Sequence, residues 1–165
     1  MSEALTGKPA TASVVEMTEI VLPSDANPLG TIFGGRVVQW IDICASVAAQ
    51  RHCRQIVVTA SMDDLHFLAP IHVGMIVLLR ATVNRAWRTS VEVEVQVESE
   101  DPLTGERRHC VRAYLTFVAL GADGRPAPVP PVIPVTPEEK ERYEAAAERR
   151  RQRLARAQLW RRKEG

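Results

Sequence analysis

Aromatic residues are scarce in this chain, at 5% of 165 positions, so a core has to be built from aliphatic side chains and alanine. No run of about 18 apolar residues occurs, which removes a membrane-spanning helix. The N-terminus also lacks the basic segment and apolar stretch of a secretory signal. Cytoplasmic residence with no membrane insertion is therefore the expectation. Charge of neither sign is in excess: 21 Lys and Arg stand against 20 Asp and Glu, a formal +1, which argues for neither nucleic acid nor an acidic partner. Cysteine is limited to Cys44, Cys53 and Cys110, with no C-x-x-C or Cys/His spacing. That predicts buried thiols, no disulfide framework and no metal. The chain also has no G-x-G-x-x-G, Walker-type or G-x-S-x-G pattern, so nucleotide phosphates cradled in those ways and a serine nucleophile elbow are poorly supported.

What is present reads as one domain with tails. Residues 1–12 are small and polar without period and are expected to be a disordered leader. Ser13 to Leu22 has strand composition and stops at Pro23. From Phe33 to about Arg54 there is no proline and the run is dense in Ala, Val and Ile. It is too long for a strand, so a helix of roughly five turns is predicted. The period then changes to two over Ile56–Phe67, Ile76–Asn84, Thr89–Ser99 and Arg108–Leu120. In the third of these, Val91, Val93, Val95 and Val97 oppose Glu92, Glu94, Gln96 and Glu98, so one face should be buried and the other wet or at a polar interface. The separators are short and turn-rich, which makes neighbouring strands antiparallel. One long helix followed by four such strands buries both only if the sheet curls around the helix, an α+β wrap. With the first strand this makes a domain over residues 13–121.

Residues 122–136 carry the run from Arg125 to Pro134, rich in proline, which predicts an extended, stiff spacer outside the sheet. Thr136-Pro137-Glu138-Glu139 is a helix start, giving a basic C-terminal helix over 137–165 with sparse apolar anchors at Tyr143, Ala147, Leu154 and Leu159. Its arginine run, Arg149-Arg150-Arg151-Gln152-Arg153, reads as a solvated face rather than a nucleic-acid surface. An accessory role, packing on a neighbouring subunit, is the corresponding expectation.

The loop Pro23 to Gly35 carries the chemistry. It ends in Gly34-Gly35 at the helix start, where unpaired amides and the positive end of the helix dipole favour an anion or a polarised carbonyl. Asp42 follows about two turns in, on a polar stripe with Arg36, Gln39, Ser46 and Gln50. Amide donors followed by an embedded carboxylate suit acyl transfer. On the residues alone, however, Asp42 reads first as a solvated or capping carboxylate and only second as a catalyst, Asn27 first as a turn former, and the glycines could serve only close packing of helix on sheet.

Leu22-Pro23-Ser24-Asp25-Ala26-Asn27, Ile32-Phe33-Gly34-Gly35, Trp40-Ile41-Asp42, Arg51-His52-Cys53, Val58-Thr59-Ala60-Ser61-Met62-Asp63 and Phe67 to Pro70 together resemble the acyl-CoA thioester hydrolases of the hotdog superfamily. The resemblance is to the YciA-type bacterial enzymes and the cytosolic brain acyl-CoA hydrolases, and it covers about residues 13–120. It implies a hotdog fold, an antiparallel sheet wrapped around one long helix, and hydrolysis of fatty acyl-CoA to free fatty acid and coenzyme A. It further implies Asp42 as general base or nucleophile, Asn27 opposite it from another subunit, and the Gly34 and Gly35 amides as an oxyanion hole. Arg88-Thr89-Ser90 would take the coenzyme A phosphates, with His66 lining the site. No cofactor is implied beyond coenzyme A in the substrate. The assembly implied is a dimer at minimum and a hexamer, a trimer of dimers, by expectation. A hydratase on the same fold would pair a histidine with a carboxylate near the helix, and no histidine occurs from Pro23 to Arg51. A non-catalytic acyl-CoA sensor, using the basic tail for a partner, is the alternative function.

Overall fold

The computed structural model describes residues 4–164. Its main sheet has five antiparallel strands: β2 (Val15–Ile20), β3 (Ile56–Met62), β4 (Ile76–Ala86), β5 (Ser90–Glu100) and β6 (Arg107–Leu120). They lie in the order β2-β4-β5-β6-β3, so β2 and β3 are the two edges. The helix α1 (Gly34–Cys53) lies in the hollow of this sheet. The expected hotdog architecture is thus the one adopted.

Residue periodicity explains the packing. Val37, Ile41, Cys44, Ala45, Ala48 and Ala49 are buried on α1, against inward-facing Val93, Val95, Val97, Leu79, Leu115 and Phe117 from the sheet. Burying one such aliphatic side chain contributes about 1.5–3 kcal/mol, and the alanines let helix and sheet approach closely where aromatic bulk is lacking. The helix ends at Arg54, which adopts the left-handed conformation at φ 53°, its N–H donating to the Gln50 carbonyl at 2.7 Å. Burial pushes the thiols of Cys44 and Cys53 up to about 11, so both behave as small hydrophobes.

The second helix, α2 (Pro137–Glu164), lies over the opposite face of the sheet. Its start is a capping box: the Thr136 hydroxyl accepts the Glu139 N–H at 3.2 Å, and the Glu139 carboxylate accepts the Val135 and Thr136 N–H groups at 2.6 and 3.1 Å. Of the two expected environments for the outer face of β5, wet or at a polar interface, it has the second, since Glu92 is fully buried and Glu94 nearly so. One expectation is corrected: the arginine run is not simply solvated, because Arg149 pairs with Glu92 at 2.7 Å and Arg153 with Asp63 at 3.3 Å. Helix α2 packs on its own sheet, whatever else it touches.

The tails also differ from expectation. Within the supposed leader, Lys8–Pro9 form the strand β1, parallel to β7 (Val132–Ile133), and Ala10–Ser13 form a 3-10 turn; Met1 to Glu3 lie outside the described residues. The proline-rich segment is extended, as its prolines require, yet it is no free spacer. Ala127 and Val129 donate backbone N–H groups to Ala119 and Arg88 carbonyls at 2.9 and 3.1 Å. The carbonyl of buried Pro130 accepts from His52 Nε2 at 2.7 Å. His52 is fully buried at the end of α1 with its Nδ1 unpartnered.

Candidate active site

The polar stripe of α1 faces away from the chain's own core, with Asp42 half-buried. Thr59 Oγ1 donates to Asp42 Oδ1 at 2.7 Å. The Asp42 Oδ2 atom accepts no hydrogen bond from the described residues, so one oxygen is oriented and the other is free. Thr59 sits beside an irregularity in the β3–β6 ladder, where the register shifts between Thr59 and Ser61. A bulge of this kind bends an edge strand and re-aims its side chains. Sequence reasoning missed Thr59 as a functional residue, although it lies inside the Val58 to Asp63 motif. A threonine in a strand carries no signal of its own until the fold brings it to Asp42.

Asn27 is held by its own loop. Its Oδ1 accepts the Leu29 and Thr31 N–H groups at 2.9 and 3.3 Å, and its Nδ2 donates to Thr31 Oγ1 at 2.7 Å. No hydrogen bond joins it to Asp42 among the described residues of this single chain. The loop is anchored by Asp25, which is buried. Its carboxylate accepts from Arg36 Nε at 2.7 Å and from the Leu22 N–H at 2.9 Å, tying the loop to the first turn of α1.

Gly34 and Gly35 open the helix, so their amides have no intrahelical carbonyl to bond. Neither has a positive φ. A Cβ on Gly34 would lie 3.3 Å from the Phe67 ring, whereas one on Gly35 would enter open space. Neither glycine is required by a special turn, and of the two only Gly34 is closely packed, against Phe67. A cleft of about 340 Å³ lies here, lined by Thr31, Gly34, Phe67, Ala69 and Ile71 among others.

His66 is exposed in the segment after β3, not in a strand as its Leu65-His66-Phe67 pattern predicts. β3 stops at Met62 because Asp63 and Asp64 are poor strand residues and are drawn to Arg153 and Arg156 of α2. Arg88, Thr89 and Ser90 form the β4–β5 turn, closed by the Trp87 N–H to the Ser90 carbonyl at 2.8 Å, with Arg88 exposed. The structure thus brings Asp42 to Thr59, sets Gly34 against Phe67, and keeps Asn27 and the Arg88 turn as separate features.

A curled antiparallel sheet around one long helix is the hotdog fold, here with a carboxylate on the helix's outward stripe and free amides at its start. The thioesterase superfamily model matches residues 29–106. The chain is 44% identical over 141 residues to the uncharacterized acyl-CoA thioester hydrolase YkhA of Bacillus subtilis, covering 86% of this chain and 82% of that protein. It is 43% identical to mouse acyl-coenzyme A thioesterase 11 over 85% of its own length, but spans only 23% of that larger protein. Among solved structures, an apo-hexameric acyl-CoA thioesterase superposes with a TM-score of 0.89 at 44% identity, covering 93% of this chain and 98% of that one. The acyl-CoA hydrolase of Staphylococcus aureus, in complex with butyryl coenzyme A, coenzyme A and coenzyme A disulfide, does so with a TM-score of 0.88 at 37% identity, over 94% of each chain. Three single variants of that enzyme have also been crystallised, with alanine in place of an asparagine, an aspartate or a threonine, positions spaced fifteen and then seventeen residues apart. The chain belongs to the acyl-CoA thioester hydrolase family, a family of enzymes. Among its described residues, no helix is long and apolar enough to cross a membrane.

Proposed function

We propose that this enzyme hydrolyses fatty acyl-CoA to free fatty acid and coenzyme A, with Asp42 at the centre of the reaction. The observation that carries the reading is the Thr59 to Asp42 hydrogen bond at 2.7 Å. It holds one carboxylate oxygen and leaves the other to take a proton from water or to attack the thioester carbonyl itself. Support comes from spacing as well: Asn27, Asp42 and Thr59 stand fifteen and seventeen residues apart, as do the three residues replaced in the Staphylococcus aureus enzyme.

In this reading the Gly34 and Gly35 amides receive the oxyanion that forms at the carbonyl, a donor pair whose members are each worth roughly 2.7–4 kcal/mol. On the general-base route the water's oxygen bonds to the carbonyl carbon, the C–S bond breaks and the coenzyme A thiolate takes up the proton that Asp42 removed. On the nucleophilic route departure of the thiolate leaves an acyl anhydride on Asp42, which water then hydrolyses to the free acid and the carboxylate, its spare proton going to the thiolate. Asn27, its side chain fixed by its loop, orients the water or carbonyl from the neighbouring subunit. A dimer is therefore the functional minimum, and a hexamer built as a trimer of dimers is proposed on the likeness to two hexameric thioesterases. The exposed edge strand β3, with Ile56 68% and Val58 44% exposed, suits such joining. Arg88, Thr89 and Ser90 take the coenzyme A phosphates and His66 borders the acyl path. No cofactor is required. Cytoplasmic residence fits the likeness to the cytosolic acyl coenzyme A thioester hydrolase of the rat.

The test is release of free thiol from short-, medium- and long-chain acyl-CoAs by the native protein and by Asp42→Ala, both checked as folded oligomers. General-base catalysis is worth about a hundred- to ten-thousandfold, and the variant should lose activity on that scale. Unchanged turnover in Asp42→Ala would remove it from the mechanism.

A further inference from the structure

The start of α1 lacks the polar devices that usually stabilise one. Its N-cap, Phe33, makes no side-chain cap hydrogen bond, and its first turn holds no Asp or Glu. The first turn carries a cation instead, Arg36, where the helix dipole disfavours one. Among the described residues nothing accepts the Gly34 or Gly35 N–H. Stability alone would place an anion here.

A carboxylate does stand beside these amides, but it is engaged elsewhere. Asp25 is buried, and its carbonyl accepts the Phe33 N–H at 2.9 Å, which sets it against the residue that precedes Gly34. Both of its carboxylate oxygens are taken, Oδ1 by Arg36 Nε at 2.7 Å and Oδ2 by the Leu22 N–H at 2.9 Å. Arg36 is fixed in turn by a second bond, from Nη1 to Gln39 Oε1 at 2.9 Å. The guanidinium is thus held between a loop acid and a residue one turn further along the helix, an arrangement its rigid fork of donors suits. Released from Arg36, the carboxylate would find the bare N–H groups of the helix start open to it.

We propose that Arg36 is a positioning residue for the reaction: it keeps the Asp25 carboxylate off the start of α1, so that the Gly34 and Gly35 amides stay open to the oxyanion. This role rests on the thioesterase reading and explains why the helix start stays bare. Asp25 then ties the loop that carries Asn27 to the helix, through Arg36 and Phe33, without occupying the amides that the chemistry needs. A carboxylate bonded to those amides would compete with the intermediate for the same donors, and its charge would repel the oxyanion.

The test is a set of variants assayed on an acyl-CoA as folded oligomers. The Arg36 side chain is 39% exposed, so the fold survives its loss. In Arg36→Gln kcat should fall roughly a hundredfold, the scale of a lost oxyanion donor, with KM within about twofold. Arg36→Lys, whose ammonium still holds the carboxylate, should keep most of the native kcat. Asp25→Asn should lose less than Arg36→Gln, because no carboxylate is left to reach the amides. The decisive protein combines Arg36→Gln with Asp25→Asn: it lacks both partners of the pair, yet its kcat should exceed that of Arg36→Gln roughly tenfold. A combined variant no more active than Arg36→Gln overturns the role and leaves the pair a structural strap. If the native protein hydrolyses no thioester, the thioesterase reading fails by itself. Whether Arg36 keeps Asp25 from the amides is then decided by hydrogen exchange followed by mass spectrometry. The Gly34 and Gly35 amides should exchange more slowly in Arg36→Gln than in the native protein or the combined variant, and equal exchange in all three overturns the inference.

Discussion

The two faces of the one sheet are covered by helices in opposite ways. Against α1 the sheet presents valines, leucine, alanine and Phe117, all dry. Against α2 it presents Glu92, Glu94, Asn84 and Tyr114, and the helix answers with Arg149, which lies 3.7 Å from the centre of the Tyr114 ring and forks onto Glu92. Asn84 Nδ2 donates to both glutamates, at 3.1 and 3.3 Å. Burial works against the charge of Arg149, but the hydrogen bonds and charge of Glu92 outweigh it and hold the guanidinium above its ordinary range. The inner contact is strong and non-directional, indifferent to which apolar side chain meets which, whereas the outer one is directional. A hydrophobic face says that something will cover it. A buried carboxylate says which residue must.

The inner face should give the largest loss of stability on truncation. Leu115 is fully buried, and Leu115→Ala should cost about 2–5 kcal/mol, read as a lower urea midpoint at unchanged slope. Arg149→Ala should come close, at about 3 kcal/mol, because it strands Glu92 without its cation. Replacing both partners by leucine separates the two faces: the double variant should recover most of that loss, which no second substitution would do for Leu115. A double variant as unstable as Arg149→Ala would break the distinction.

A smaller effect is expected where the tails meet α1. Burial, with Lys8 nearby, holds His52 below the ordinary histidine value of 6.5, despite its bond to the Pro130 carbonyl. The unfolded chain therefore takes up a proton at a pH where the folded chain does not. Stability from this group is complete above about 6.5 and falls as pH drops from there towards the depressed folded value. Urea midpoints between pH 7.5 and 5.5 should decline, and the decline should flatten in His52→Gln. The smallest effect belongs to Arg156→Ala. Its pairing with exposed Asp64 at 3.2 Å should be worth no more than about 1 kcal/mol, and should vanish in high salt. A loss as large as that of Arg149→Ala would mean that exposure does not grade these arginines.

The five strands of the main sheet and α1 were legible to within one or two residues, except at β3, whereas the short pair β1 and β7 was not foreseen. After β3, Leu65-His66-Phe67 imitates a strand, while the preceding aspartates are claimed by arginines some ninety positions away. The site was legible in part. Asp42 and the paired glycines stand out as the one carboxylate of α1 and a bare helix start. Thr59 and Asp25 do not stand out, because one is an ordinary strand residue and the other an ordinary loop acid until Asp42 and Arg36 are set beside them.

By itself the sequence determined the architecture: period two against period 3.6, proline where the chain must be extended, and too little aromatic bulk for any core but an aliphatic one. These are properties of neighbouring residues, so they can be read locally. Only the tertiary structure decided that the charged side of β5 is an interior, that the arginine-rich helix is docked rather than solvated, and that the two tails meet in a parallel pair over His52. Each depends on partners between 57 and 124 positions apart, such as Arg149 with Glu92 or Lys8 with Val132. A carboxylate is costly to bury or harmless to expose depending on which cation the fold delivers, and that delivery is a long-range event.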